Sequence, residues 1–301
     1  MRDVAKTSFC SASYYESEGN KHFFVSAAHC FEGRIKQFES NNFFITFDPV
    51  SGNYLPIQGV SIHKNFLTFE KMYSNGLAEV QARAELGAGL ETAISKLNAA
   101  RAAAAPPAEV SRLESAVQQA KLDLQNSQVA VISKHYLEPN QIVNDVAVLM
   151  ATGILPENVS TLRIVPQDLV IELPQTFTLA GYGMRGKSVS AIQDLWYIDL
   201  PLTAIHDVQK ELVFLAKDGH DVCYGDSGGP AVLTRNTAHY LAAVLSRKSS
   251  PYSTCGDSGG VYTDVRFFRE WITCQIASLK GLRSSPECKD HTANAITARR
   301  I

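Results

Sequence analysis

The sequence predicts an all-β domain, an antiparallel barrel or sandwich, interrupted by a helical hairpin and closed by a C-terminal helix. Three observations lead there. Short apolar runs recur from Phe23 to about Val60 and again from about Val129, with Gly and Pro at the joints. Between about Leu77 and Asn126 the composition turns to Ala, Glu, Gln, Lys and Leu, with almost no aromatic or turn residues before "PP". The last element, "VRFFREWITCQIASL", has a helical apolar rhythm.

In chain order, "HFFVSAAHC", "NNFFITFD" and "YLPIQGVSI" read as strands, and "DPVSGN" supplies turn chemistry between the second and third. In the helical segment Leu86, Leu90, Ala93 and Leu97 step by 4, 3, 4, while Val110, Leu113, Val117, Ala120 and Leu124 step by 3, 4, 3, 4. That is the spacing of two helices sharing one apolar seam. Pro106 and Pro107 mark the turn, because proline fits a helix's first turn and breaks its interior. Arms of roughly 27 and 19 residues reach about 40 and 30 Å at the helical rise. Gly87 and Gly89 weaken the first arm by about 1 kcal/mol each relative to alanine. Strands then resume through "NDVAVLMA", "LRIVPQ", "QTFTLAGYG", "LWYIDLPL", "GPAVLT", "YLAAVLS" and "GVYTDV".

With 301 residues, 45% of them hydrophobic, the chain can bury a substantial core in one large domain or two ordinary ones. Its 28 basic and 30 acidic residues are not massed into long blocks, which argues against nucleic acid or an anionic membrane as partner. Stretches such as "LVIELP" and "YLAAVL" stop well short of the roughly 18 apolar residues that span a bilayer. Cys10, Cys30, Cys223, Cys255, Cys274 and Cys288 are compatible with buried thiols, a metal site or three disulfides. They form no C-x-x-C pair, so disulfides are favoured over tetrahedral zinc, and no metal or other cofactor is expected. Disulfides imply an oxidising compartment, extracellular or periplasmic. The opening "MRDVAKTSFCSAS" holds no apolar core of the secretory kind, so a signal upstream of the printed start is expected.

The chemistry concentrates in "DVCYGDSGGP", Asp221 to Pro230, and its wording returns as "CGDSGG" from Cys255. A serine hydroxyl attacks well only when a base removes its proton. The sequence offers His29 in "VSAAHC", Asp145 in "VNDVAVL" and Ser227 in "GDSGGP", in that order. These three segments resemble the signature segments of the chymotrypsin/trypsin family of serine endopeptidases, and so do "LAGYG", "VYTDV" and the closing "REWI" helix. The resemblance covers about residues 8–76 and 129–280. It implies two six-stranded antiparallel barrels with the working groups in the cleft between them.

By that resemblance His29 is the general base, Asp145 orients its imidazole, Ser227 is the nucleophile, and the N–H groups of Gly225 and Ser227 form the oxyanion hole. Ser246 matches the serine beside the catalytic aspartate, although "SRK" departs from the family's serine, aromatic, glycine. Asp221, six residues before the nucleophile, falls at the floor of the primary pocket and implies cleavage after Arg or Lys. Gly260 leaves that pocket open to a long side chain. Lys248 complicates the reading, by crowding the pocket mouth or partly neutralising Asp221. Cys10 with Cys30 and Cys223 with Cys255 match family bridges, which leaves Cys274 with Cys288. Ser258 has no cysteine four residues before it and no proline three after it, so its "GDSGG" reads as a loop with coincidental wording.

Two departures stand out. His29 and Asp145 lie 116 residues apart, far more than the family needs, and the hairpin accounts for the excess. No segment like "IVGG" precedes Cys10 to supply the amine that, in the family, pairs with the carboxylate corresponding to Asp226 on zymogen activation. The expected layout is therefore a protease domain over 1–76 and 129–280, an inserted hairpin over 77–128, and a flexible tail over 281–301. The expected partners are protein or peptide substrates; the hairpin reads either as a solvated spur packed on the first barrel or as a docking arm for a substrate or protein partner. The competing expectation is a catalytically weak or inactive homologue that binds or regulates, motivated by Lys248, the absent amine segment and the helical arm.

Overall fold

The structure is a computed structural model that describes residues 10–32, 43–48, 52–132, 142–184, 194–250, 255–282, 288 and 295–297, with backbone alone at 67–84, 87, 124–132 and 295–297. The chain divides into two compact units. One joins Met1–Leu67 to Ile142–Ile301, and the other is Thr68–Gln141.

The larger unit is built from two antiparallel sheets. The first holds β1 (Ser13–Glu18), β2 (Lys21–Ser26), β3 (Phe44–Ile45), β4 (Leu55–Ile62) and, numbered in chain order, β7 (Ala147–Thr152) and β15 (Ala295–Thr297). Its order is β1-β2-β7-β4-β15, with β3 also on β4. It curls into a half-barrel, and among the described residues no pairing returns to β1. Period-two alternation explains why β2 and β7 read as continuous apolar runs. Phe24, Ala147, Leu149 and Ala151 face one core with Phe31, Phe43, Leu55 and Ile57. Phe23, Val25, Val148 and Met150 face another. The two-stranded ribbon of β5 (Leu67–Thr68) and β6 (Ile142–Val143) stands apart from both sheets.

The second sheet closes. Its strands are β9 (Thr176–Gly181), β10 (Trp196–His206), β11 (Glu211–Phe214), β12 (Pro230–Arg235), β13 (Ala238–Lys248) and β14 (Gly260–Asp264). They run β12-β9-β10-β11-β14-β13, and β13 pairs back onto β12. β8 (Arg163–Ile164) adds a short parallel pairing to β13. Phe177, Leu179, Leu200, Leu212, Phe214, Leu233, Leu245 and Tyr262 fill the interior. The expectation of two barrels is met, one half-closed and one closed.

After β14, Asp264 caps a 3-10 turn by accepting the Arg266 N–H. The helix numbered α3 here follows over Arg269–Lys280 and ends at Gly281, whose φ of +80° only glycine adopts without strain. Its Trp271, Ile272, Ile276 and Leu279 join the core formed by Phe23, Val25, Val148 and Met150.

Two places in 281–301, the segment read as a flexible end, are tied to the domain. Cys288 is bonded to Cys274 of α3, and Ala295–Thr297 pair antiparallel with Gly59–Ser61 of β4. An otherwise open strand edge gains hydrogen bonds that way. A three-residue strand is too short for periodicity to reveal.

The smaller unit is a helical hairpin, α1 (Phe69–Ala102) and α2 (Pro107–Ile132), so both helices run past the limits read from composition. Pro107 occupies the first helical position, where its missing N–H costs nothing. Among the described side chains of the predicted seam Leu97 and Val117 are the buried ones, and Arg101 pairs with Glu114 near the turn at 2.5 Å.

Candidate active site

His29 lies in a single 3-10 turn, Ala28–Phe31, that leaves β2. Asp145 lies in the tight turn between β6 and β7, where the Val146 N–H donates to the Asn144 carbonyl and Asn144 takes φ of +52°. The Asn144 side chain secures that turn by donating to the Asn65 carbonyl at 2.9 Å. The result is a carboxylate with no exposure that faces the histidine. Asp145 Oδ1 accepts the His29 backbone N–H at 2.9 Å, and Oδ2 bonds His29 Nδ1 at 2.8 Å. The Ser246 hydroxyl donates to the same Oδ2 at 2.6 Å, from a register shift in β13 between Leu245 and Arg247. Burial alone pushes the Asp145 carboxyl up. The His29 charge and the hydrogen bonds from His29 and Ser246 outweigh it and hold the group below its ordinary value.

Ser227 is placed by backbone. Gly228 donates to the Leu245 carbonyl at 2.8 Å and Gly229 accepts the Leu245 N–H at 2.9 Å, which fixes the loop against β13. A side chain at Gly228 would collide with Ser26 and the Ser11 carbonyl, and one at Gly229 with the Ala180 and Asp226 carbonyls. From the other side the Ser11 N–H donates to the Ser227 carbonyl at 2.7 Å, and the Ser11 hydroxyl donates to the Gly225 carbonyl at 2.9 Å while accepting from the Tyr182 N–H at 3.1 Å. Gly225 itself takes φ of +98°. Among the described residues no hydrogen bond joins the Ser227 hydroxyl to the imidazole.

Asp226 turns inward. Oδ1 accepts the Gly183 N–H at 2.7 Å and Oδ2 the Cys223 N–H at 2.8 Å. Side chains at Gly181 or Gly183 would collide with the Asp226 carboxyl, which explains the glycines of "LAGYG". Burial raises the Asp226 pKa to about 6. The Cys223 and Gly183 amides oppose the shift, and the Asp221 charge adds to it. Asp221 Oδ1 accepts the Val222 N–H at 2.6 Å and Oδ2 the Ser258 N–H at 3.3 Å. Both acids line a cavity of about 330 Å³ whose other walls include Leu179, Met184, Trp196 and Ile198.

A family model for trypsin matches residues 108–272, more than half of the chain. This protein belongs to the trypsin family. Among similar proteins, trypsin eta of Drosophila erecta is 25% identical over 154 residues, 44% of this chain and 54% of that one. Trypsin eta of Drosophila melanogaster is 26% identical over 156 residues, 45% and 54% of the two chains. Mouse tryptase is 33% identical over 70 residues, 23% of this chain and 24% of its own. The aligned part thus spans about half the length of the trypsin eta proteins. Asp145, Asp221, Ser227 and Ser246 lie within the matched stretch, and His29 precedes it.

As a trypsin-family chain it carries the three cysteine bridges expected from the sequence: Cys10–Cys30, Cys223–Cys255 and Cys274–Cys288. The first brings Cys10 and Cys30 beside His29 within metal-ligand distances, but two sulfurs joined to each other are not thiolate donors. A trypsin-like domain with disulfides points to an extracellular protein. Among the described residues no helix is long and apolar enough to cross a membrane.

One expectation changes in kind. At Gly260 the space a side chain would take is filled by Leu245, Val222 and Tyr262, at 2.9 to 3.0 Å from where a Cβ would sit, and is not left open for substrate. Two positions escaped the sequence reading. Ser11 gave no signal, since a serine after a cysteine is common. Gly183 was quoted only as part of "LAGYG", and its N–H on Asp226 becomes visible only once β9 is folded against the Ser227 loop.

Proposed function

We propose that this protein is a secreted serine endopeptidase that hydrolyses peptide bonds after Arg or Lys. The observation that carries the proposal is Asp145: a fully buried carboxylate would be costly alone, and here it is satisfied by the His29 ring, the His29 backbone and Ser246. That arrangement fixes the tautomer of His29, placing the proton on Nδ1 and leaving Nε2 basic.

In the proposed reaction His29 Nε2 takes the Ser227 proton as Oγ attacks the substrate carbonyl. The Gly225 and Ser227 N–H groups receive the negative oxygen. Imidazolium, stabilised by Asp145, then passes its proton to the leaving amine, and an acyl-enzyme on Ser227 remains. Water repeats the cycle with His29 again as base, releasing the acid product and regenerating the serine. Hydrogen bonds to a nucleophile are often long in an unliganded site and tighten with substrate bound, which is the state proposed for Ser227 and His29. Asp221 supports the Arg/Lys preference, because a carboxylate by the pocket favours a cationic side chain and is left uncompensated by an apolar one.

Fluorophosphonate labelling tests the reading. Label is expected at Ser227, with none in Ser227→Ala. A second reading, a protease-like binding protein, draws on Lys248 in the stretch after Ser246 and on the inserted helical hairpin. Correctly folded protein that takes no label would establish it.

A further inference from the structure

The last residues of β13, beside His29 and Asp145, carry two cations where the family motif has an aromatic and a glycine. β13 pairs with β12 only as far as Val244, yet on its other side it stays with β14 through Lys248 opposite Gly260. Ser246–Lys248 is therefore paired along one edge only among the described strands. Ser246, bonded to Asp145, fixes that edge next to His29. A peptide laid along such an edge by strand addition brings its side chains against Arg247 and Lys248.

The two cations are disposed of differently. The Arg247 guanidinium makes a two-pronged bond to buried Glu211, at 2.6 and 3.1 Å. The Lys248 ammonium lies 5.2 Å above the Tyr224 ring and 3.6 Å from Cys255 Sγ. Tyr224 stands between Cys223 and Gly225, and Cys255 is bonded to Cys223, two residues from Asp221. The lysine thus reaches from the end of β13 to the loop carrying Ser227. Cys255, which the ammonium reaches, lines the same cavity as Asp221.

We propose that Lys248 is a specificity-determining residue that sets a like charge against any cationic substrate side chain directed to Asp221, so that the site favours Arg and Lys less strongly than its aspartate alone would. This inference rests on the serine-endopeptidase reading. It commits to charge: the ammonium opposes a guanidinium or ammonium in a partly solvated site, and salt screens the opposition.

Two variants separate charge from bulk. Lys248→Gln keeps most of the length and removes the charge, and Lys248→Gly removes both. The readout is kcat/KM for arginyl relative to matched alanyl peptides, at low and high salt. The arginyl-to-alanyl ratio is expected to rise about tenfold in both variants, mainly through KM for the arginyl substrate. The gap between the unsubstituted protein and Lys248→Gln should narrow as salt increases. A ratio that rises only in Lys248→Gly shows bulk at work and overturns the proposal, and so does a ratio unchanged in both. Fluorophosphonate labelling of the same preparations keeps the two failures apart. Protein that takes no label overturns the endopeptidase reading and this one with it, whereas labelled protein with an unchanged ratio overturns only the role of Lys248.

Discussion

The pentapeptide GDSGG occurs twice in this chain, at Gly225–Gly229 and Gly256–Gly260, and its two settings agree in one respect and differ in another. They agree in the glycines. Both copies run into strands of the closed barrel, β12 at Pro230 and β14 at Gly260. Gly225 and Gly256 take φ of +98° and +96°, and Gly228 and Gly259 take +79° and +92°. The repeated glycines at these positions are thus explained by backbone conformation, with no appeal to chemistry. The copies differ in the acid and the serine. Asp226 is turned inward onto two backbone N–H groups, and Ser227 is gripped by Ser11 and β13. Asp257 is exposed, and the Ser258 N–H serves Asp221. Identical wording sets the same backbone constraint twice, while the groups packed against it decide which serine has a base nearby.

The largest expected effect separates the two serines. Ser227→Ala should lower peptide hydrolysis by about six orders of magnitude, while Ser258→Ala should stay within a few-fold, both read as kcat/KM on one arginyl peptide. Comparable losses would reverse the assignment. Next in size, Asp145→Asn should cost about four orders of magnitude in kcat, because an amide facing His29 favours the tautomer whose Nε2 cannot accept the serine proton. The recovery of activity at high pH, where hydroxide replaces the missing base, distinguishes that cause from misfolding.

The candidate site was legible because its residues sit inside segments that resemble those of a family. "AAHC", "NDVAVL" and "GDSGGP" pointed to His29, Asp145 and Ser227, of which His29 and Asp145 are bonded to each other, and apolar runs such as those of β2, β7, β12 and β13 pointed to most of the barrels. β1 was missed because "SYYESE" is an edge strand whose polar residues hide the alternation. Ser11 was missed for a different reason. Three of its hydrogen bonds go to Gly225, Ser227 and Tyr182, between 171 and 216 positions away, and sequence proximity says nothing about such partners. Gly260 was read for the space it leaves in a pocket, when that space belongs to the core.

Ser11 yields the third effect. In Ser11→Ala the Gly225 carbonyl and the Tyr182 N–H each lose a partner, while the Ser11 backbone bond to Ser227 remains. An orphaned buried polar group costs about 1 to 3 kcal/mol. Part of that loss should appear as freedom of the oxyanion loop, lowering kcat about tenfold to a hundredfold with a smaller change in KM. Ser11→Thr keeps the hydroxyl and should restore most of it. The second GDSGG has its own tie, the Ser249 hydroxyl donating to the Ser258 carbonyl at 2.5 Å, but that tie does not touch the Ser227 loop, so substitutions at Ser249 should leave kcat within a few-fold.

The smallest effect is on stability and concerns Asp226, the inward-turned aspartate of the first copy. Burial gives Asp226 a folded-state pKa of about 6, against roughly 3.9 for an aspartate in an unfolded chain. Between those values the native protein binds more protons than the unfolded one, so stability falls as pH rises through that window and the penalty is fully present above it. Lowering the pH from 7 to 5 should therefore return about 1 kcal/mol through this group. The comparison is best made on the Ser227→Ala background, which removes self-digestion, by urea unfolding at both pH values with and without Asp226→Asn. The asparagine does not titrate, so the gain on acidification should shrink by that amount. Equal pH dependence with and without Asp226→Asn would mean that the two backbone N–H groups, with whatever else reaches the carboxyl, stabilise its charged form as well as water does. Asp226 would then be as fully satisfied in the folded loop as Asp145 is.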